Sequence, residues 1–219
     1  MEQLEFYSVM MRNDYELLTN VVPAEICKLC AIQYEMQESC CSIIYPNTSM
    51  ADMSPNSFAR YAPLCFEALS VYLLPIIEKI VGEELFPVYS YARIYRTGSK
   101  LDPHFDRSSS EISVSICIEK DDQDWPLFIK SDQGIIHEIH LNQGDIVIYK
   151  GNAQEHWRDE FTGKKQIQCF LQYVRAKGNL AWLKWDTRPS LGLPYDYTGP
   201  EVKEEVAKVM AEHKLSGKI

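Results

Sequence analysis

The chain has 219 residues, 46% hydrophobic and 24% charged, a composition able to bury a full core. Its 22 basic and 31 acidic residues leave a net charge of −9, which argues against nucleic acid as a partner, because broad capture of a polyanion needs a basic surface. No apolar run approaches the roughly 18 residues of a membrane span, and the opening Met1–Phe6 lacks a basic segment followed by an apolar one, so neither a span nor a signal peptide is expected.

In chain order, residues 1–22 read as an irregular or short-strand lead-in. Pro23 to about Ser39 reads as a helix, with Ile26, Leu29, Cys30 and Gln33 at three- and four-residue steps. Cys41–Tyr45 fits a short strand stopped by Pro46. Ser54-Pro55 then opens the longest helical pattern, with Phe58, Tyr61, Cys65, Leu69, Leu73 and Ile77 on its buried stripe, interruptions at Pro63 and Pro75, and an end at Gly82. From Val88 the period changes to two, and strands are expected near 88–96, 112–119, 126–130, 135–141, 145–149 and 166–175. Short antiparallel strands at this spacing make an α+β chain with a mainly β core, a sandwich or jelly roll. After Ala176 the chain reads as a packed but irregular tail, and Glu201–Glu212 as a charged helix.

Seven cysteines at 27, 30, 40, 41, 65, 117 and 169 are odd in number and irregular in spacing. That pattern points to reduced thiols and a cytoplasmic compartment. Cys27-Lys28-Leu29-Cys30 has the spacing of a zinc or redox motif, but no matching second pair exists, and buried thiols on an amphipathic helix are the simpler reading.

The chemistry centres on Tyr95–Asp106. His104 and Asp106 are two residues apart, so on an extended chain both side chains leave the same face, roughly 7 Å apart. An imidazole and a carboxylate so placed are two thirds of the 2-His-1-carboxylate triad that holds non-haem Fe(II) with open positions. Taken alone the dipeptide equally fits a His and an Asp at a strand end satisfied by backbone. Of the five histidines, four remain for the third position. His137 and His140 lie three apart in an alternating stretch and face opposite ways, and His213 lies in the charged C-terminal segment. His156, just past the strand-like 145–149 run, is the choice.

With these residues the chain resembles the prolyl-4-hydroxylase-like branch of the 2-oxoglutarate/Fe(II) dioxygenase superfamily, over roughly positions 88–175. Tyr95 stands nine residues before His104, Pro103-His104-Phe105-Asp106 looks like the branch's iron-binding strand, and Gly144–Tyr149 looks like the turn and strand leading to its second His. The resemblance implies a double-stranded β-helix over 88–175, with 1–87 as a helical buttress and 176–219 as a tail, all in one domain. It implies Fe(II) on His104, Asp106 and His156, O2 and 2-oxoglutarate as co-substrates, and ascorbate as an accessory reductant. It also implies hydroxylation of an unactivated carbon with release of succinate and CO2. The substrate it nominates is a prolyl residue in a peptide or protein, with a small molecule close behind. Asp106 favours hydroxylation, because related halogenases carry a small residue there.

Lys165 follows His156 by nine residues, where the branch carries the base that pairs with the far carboxylate of 2-oxoglutarate. Alternation places it on one face with Ile167, Cys169, Leu171 and Tyr173, and an inward lysine in that company needs an anion. Arg93, on the face of Tyr91 and Tyr95, is its first rival. Arg158 and Arg107 are others, and either fits substrate instead. Tyr95 is a second co-substrate contact by resemblance, or an ordinary strand aromatic. Cys117 stands where some relatives carry another co-substrate-binding Tyr. Arg107 and Glu111, in the polar loop after Asp106, are candidate substrate contacts or an ion pair, and Trp157 either lines the cavity or packs in the core. A cupin-like metalloenzyme without 2-oxoglutarate and a barrel kept only for binding remain the alternatives.

Overall fold

A computed structural model describes residues 14–44 (41–44 as backbone), 54–188 and 191. In chain order its elements are β1 (Tyr15–Leu18), α1 (Ala24–Ile44), β2 (Ser57–Tyr61), α2 (Leu64–Val81), β3 (Leu85–Arg96), β4 (Leu101–His104) and β5 (Ile112–Lys120). There follow β6 (Leu127–Lys130), β7 (Ile136–Ile139), β8 (Ile146–Tyr149), β9 (His156–Arg158), β10 (Lys165–Arg175) and a 3-10 segment, Ala181–Thr187. A six-stranded sheet in the order β1-β8-β5-β10-β3-β2 faces a four-stranded sheet in the order β4-β9-β6-β7, and every pairing is antiparallel. This is the double-stranded β-helix, with helices laid on the outside of the larger sheet.

The larger sheet is buried on both faces, and its strands carry a different chemistry on each. Ile112, Val114 and Ile116 of β5, Ile167, Cys169, Leu171 and Tyr173 of β10, and Ala92 and Ile94 of β3 meet Cys27, Cys30 and Tyr34 of α1 and Phe66, Leu69, Leu73 and Ile77 of α2 in one apolar core. Tyr34 ties the layers together by donating to the Ala92 carbonyl at 2.5 Å. The opposite face of the same strands carries Ser113, Ser115 and Cys117 of β5 and Gln166, Gln168 and Gln172 of β10, all buried. That polar face looks across at the smaller sheet, and a cavity opens between them.

Three expectations need correction. The helix expected from Ser54 begins only at Leu64, because Ser57–Tyr61 is an edge strand paired with Tyr91–Tyr95. Pro63 disfavours helical backbone in the residue before it, and Ala62 turns the corner with φ 52°. Pro75 is accommodated inside α2. The strand expected at Cys41–Tyr45 is helical as far as Ile44, the last described residue there. The packed tail is the 3-10 segment, while Glu201–Glu212 and His213 lie outside the described residues.

The six described cysteines with placed side chains are all free, and Cys27, Cys30, Cys117 and Cys169 are buried. Among the described residues no helix is long and apolar enough to cross a membrane.

Candidate active site

His104 ends β4 and His156 opens β9, and the two are direct partners in the antiparallel ladder, with ring centroids 4.3 Å apart. The ladder thus joins ligands that are 52 residues apart in sequence. Each imidazole is set by the same local device. Nδ1 of His104 lies 2.9 Å from the Asp102 carbonyl, and Nδ1 of His156 lies 2.9 Å from the Gln154 carbonyl. A carbonyl only accepts, so Nδ1 carries the proton in both rings and Nε2 keeps its lone pair. Burial is the main force holding the His156 ring below its usual pKa, opposed by the nearby Asp106 carboxylate and reinforced by His104. The neutral form is the one that ligates metal.

Asp106 lies just past β4, its backbone N–H donating to the Gly151 carbonyl at 2.9 Å. Its Oδ1 is 3.7 Å from Nε2 of each histidine. Its Oδ2 is held from behind by Ser113 Oγ at 2.9 Å. Ser113 Oγ is also 2.5 Å from the end of the Gln172 side chain. The hydroxyl carries one proton, which it donates to either of two acceptors, Asp106 Oδ2 or Gln172 Oε1. A Cβ on Gly151 would come within 2.2 Å of Asp106 Oδ2, so glycine is what leaves room for the carboxylate.

One ligand atom from each of His104, Asp106 and His156 lies within 4.8 Å of the others, the one such group among the described residues. Cis ligands of an octahedral ion with bonds of about 2.1 Å stand about 3 Å apart, so closing on an ion asks for only a small inward shift. Two imidazoles and one carboxylate on one side of the ion, with the cavity on the other, fit a facial triad. His137 and His140 sit elsewhere: His137 Nε2 meets Asp14 at 2.7 Å, and His140 lies between Asp124 and Glu138.

A cavity of about 320 Å³ adjoins the triad, walled by Tyr89, Tyr91, Arg93 and Tyr95 of β3, by Tyr149, and by Phe170 and Gln172 of β10. Arg93 donates to Ser57 Oγ at 3.2 Å and lies over the Tyr91 ring. At the mouth, Arg107 lies 4.0 Å over the Tyr89 ring and pairs with Asp186 of the 3-10 segment at 2.6 Å. Tyr61 stacks on Tyr89 and donates to the same Asp186 carboxylate.

The other expected site residues are placed outside this cavity. Lys165 is on the helix side of the sheet, with Nζ 2.5 Å from both Glu35 of α1 and Glu119 of β5. Burial disfavours its charge, but hydrogen bonds and attraction from Glu119 and Glu35 outweigh that and raise its pKa. The alternation argument grouped Lys165 correctly with Ile167, Cys169, Leu171 and Tyr173, but that face packs under the helices. Glu111 accepts from the Arg175 backbone N–H at 2.8 Å and pairs with the Arg175 side chain instead of Arg107. Trp157 stacks on Phe128 on the outer face of the smaller sheet. Arg158, two residues on from His156, points inward and is only 2% exposed. Sequence reasoning missed Ser113, Gly151 and Gln172. The run of serines and glutamines on alternate positions of β5 and β10 was the available signal.

No protein-family model matches the chain, and no curated protein matches it in sequence. Solved structures share its fold at low identity. A Pseudomonas putida prolyl-4-hydroxylase superposes with a TM-score of 0.61 at 12% identity, covering 79% of this chain and 98% of that one. A Trichoplax adhaerens prolyl hydroxylase, in complex with a hypoxia inducible factor oxygen degradation domain peptide fragment, gives 0.62 at 10% identity, covering 80% and 90%. HygX from Streptomyces hygroscopicus, with nickel and 2-oxoglutarate bound, gives 0.54 at 13% identity, covering 80% and 87%. The fold is therefore that of the 2-oxoglutarate/Fe(II) oxygenases. Prolyl hydroxylases are among the proteins that share it.

Proposed function

We propose that the protein is an Fe(II)- and 2-oxoglutarate-dependent oxygenase, one domain that hydroxylates an unactivated carbon and releases succinate and CO2. The observation that carries this reading is the triad: His104 Nε2, Asp106 Oδ1 and His156 Nε2 converge at the mouth of a double-stranded β-helix, beside a cavity. The bound ion would supply the activation of O2, one atom of which enters succinate and the other the product. Ascorbate serves at most as an accessory reductant.

The chain's own residues hold, orient and shield. Asp102 and Gln154 fix the two imidazoles through their carbonyls, and Ser113 with Gln172 fixes the carboxylate. Tyr95 and Arg93 belong to the cavity wall that receives 2-oxoglutarate, and the buried sheet faces keep water from its floor. Arg107, next to a metal ligand and stacked on Tyr89, is the residue best placed to meet substrate. A prolyl residue in a peptide or protein is the favoured substrate, since aromatic Tyr89 and exposed Phe105 line the cavity beside Arg107, a surface that suits an aliphatic ring on an extended chain. A small molecule is the second.

The test is a screen for succinate formed from 2-oxoglutarate in the presence of Fe(II), O2 and peptides, free amino acids or oligonucleotides. Stimulation by prolyl peptides is expected. Retained metal binding with no succinate under any condition would favour the cupin-like alternative.

A further inference from the structure

A co-substrate with a carboxylate at each end needs a cation deep in the cavity, and Lys165 is on the wrong side of the sheet to be it. We infer that Arg158, carried on the same short strand as His156, receives the far carboxylate of 2-oxoglutarate. The inference rests on the oxygenase reading and deepens it.

Arg158 is 2% exposed, and its Nε and Nη2 meet no hydrogen-bond partner. Among the described residues its one acceptor is the Trp125 carbonyl, 2.5 Å from Nη1, and its guanidinium lies 4.8 Å over the Trp125 ring. No salt bridge reaches it among the described residues; the nearest carboxylate that attracts it, Asp124, is engaged by His140 and Lys120. Tyr95, Cys117 and Tyr149 are its polar neighbours. A desolvated cation with idle donors and no anion is costly unless a ligand supplies the counter-charge.

Its place in the barrel fits that ligand. Residues two apart on a strand share a face, so Arg158 projects into the barrel beside His156 and deeper from the mouth. Its neighbours Tyr95 and Tyr149 wall the cavity, and Tyr95 also packs on Trp125 at 4.8 Å. On β10 the inward position beside Tyr95 is Gln166, whose Oε1 is buried and equally without a partner. The neutral Gln166 therefore faces the site where an inward base on this strand would have stood. Cys117, held as the neutral thiol by burial that pushes its pKa to about 12, is the small neighbour on β5 that leaves room for a long side chain from β9. The flexible arginine stem lets the fork move between the tyrosines, and its planar donors match a carboxylate in bidentate fashion.

The test is calorimetric and needs no turnover. Mn(II)-loaded protein is titrated anaerobically with 2-oxoglutarate and with 2-oxopentanoate, which has the same chain without the far carboxylate. Wild type should prefer 2-oxoglutarate by on the order of a hundredfold or more, the loss expected for one side of a buried charged pair. Arg158→Met should bind the two about equally, with unchanged Mn(II) affinity and with a metal-free melting temperature no lower than wild type, since an unpaired buried charge has been removed. Arg158→Lys, which keeps the charge, should retain part of the preference, and Lys165→Ala all of it. The inference is overturned if Arg158→Met still prefers 2-oxoglutarate, if Arg158→Lys loses preference no less than Met while folding normally, or if Lys165→Ala abolishes it. Should wild type bind neither acid, the oxygenase reading itself fails, a result the variants cannot mimic.

Discussion

Gly151 and Asp106 share one space: a Cβ on the glycine would sit 2.2 Å from Asp106 Oδ2 and 2.0 Å from Ser113 Oγ. The turn after β8 thus sets the position of a candidate metal ligand that lies 45 residues earlier. Gly151→Ala must push the carboxylate, the serine or the turn itself. Losing the support of a metal ligand typically costs 10–100-fold in affinity, so Mn(II) binding should weaken by at least about tenfold. Melting temperature and circular dichroism should stay near wild type. Unchanged Mn(II) affinity would mean that the turn yields and Asp106 does not.

Ser113→Ala removes the hydroxyl that holds Asp106 Oδ2 and leaves the Gln172 amide facing a methyl group. Metal affinity should fall by about tenfold, and Ser113→Thr, which keeps the hydroxyl, should recover much of it. Direct titration of Mn(II) followed by electron paramagnetic resonance measures all three proteins.

Lys165 serves the fold. Its ammonium bridges Glu35 of α1 and Glu119 of β5 while about a third exposed, so solvent screens the pair and removal should cost about 1 kcal/mol or less. Lys165→Glu sets three carboxylates together and should cost more than Lys165→Ala. Urea unfolding of the two variants, read as midpoints at equal slope, checks the order.

The mouth is closed on one side by a segment held through polar contacts. Trp185, Asp186 and Thr187 have φ of 56°, 53° and 52° with no glycine among them, a left-handed run that costs on the order of 1 kcal/mol per residue. Asp186 meets Arg107 and Tyr61, and Arg188 reaches buried Glu67 at 2.5 Å. Arg107→Ala removes one of these holds, so limited trypsin digestion should cut after exposed Lys184 several times faster than in wild type. Equal rates would show that Arg188 alone secures the segment.

The grouping of His104, Asp106 and His156 was legible because side chains two apart on extended chain leave the same face, even where the strand itself stops at His104, and because only one other histidine fell after a strand that could fold back. Lys165 lies away from the cavity for a physical reason. A strand buried on both faces has two interiors, and the apolar one, Ile167, Cys169 and Leu171, belongs to the helices. The barrel interior takes the polar face, Gln166, Gln168 and Gln172, of which Gln172 reaches the cavity and which a search for a core passes over. The Ser54–Gly82 stretch misled differently. Phe58, Tyr61 and Cys65 satisfy helical spacing by coincidence across a strand, a corner at Ala62-Pro63 and a helix start. The four-residue β4 and three-residue β9 are too short to show a period at all, although they carry both histidines.

The central claim is that His104, Asp106 and His156 hold an iron that meets 2-oxoglutarate in this cavity. Anaerobic titration of 2-oxoglutarate into the Fe(II)-loaded protein, followed by the visible charge-transfer absorption that such chelation produces, tests it most directly. Wild type and His137→Ala should develop the band at one Fe(II) per chain, and His156→Ala should retain neither the iron nor the band. Loss of the band in His137→Ala with its survival in His156→Ala would contradict the account.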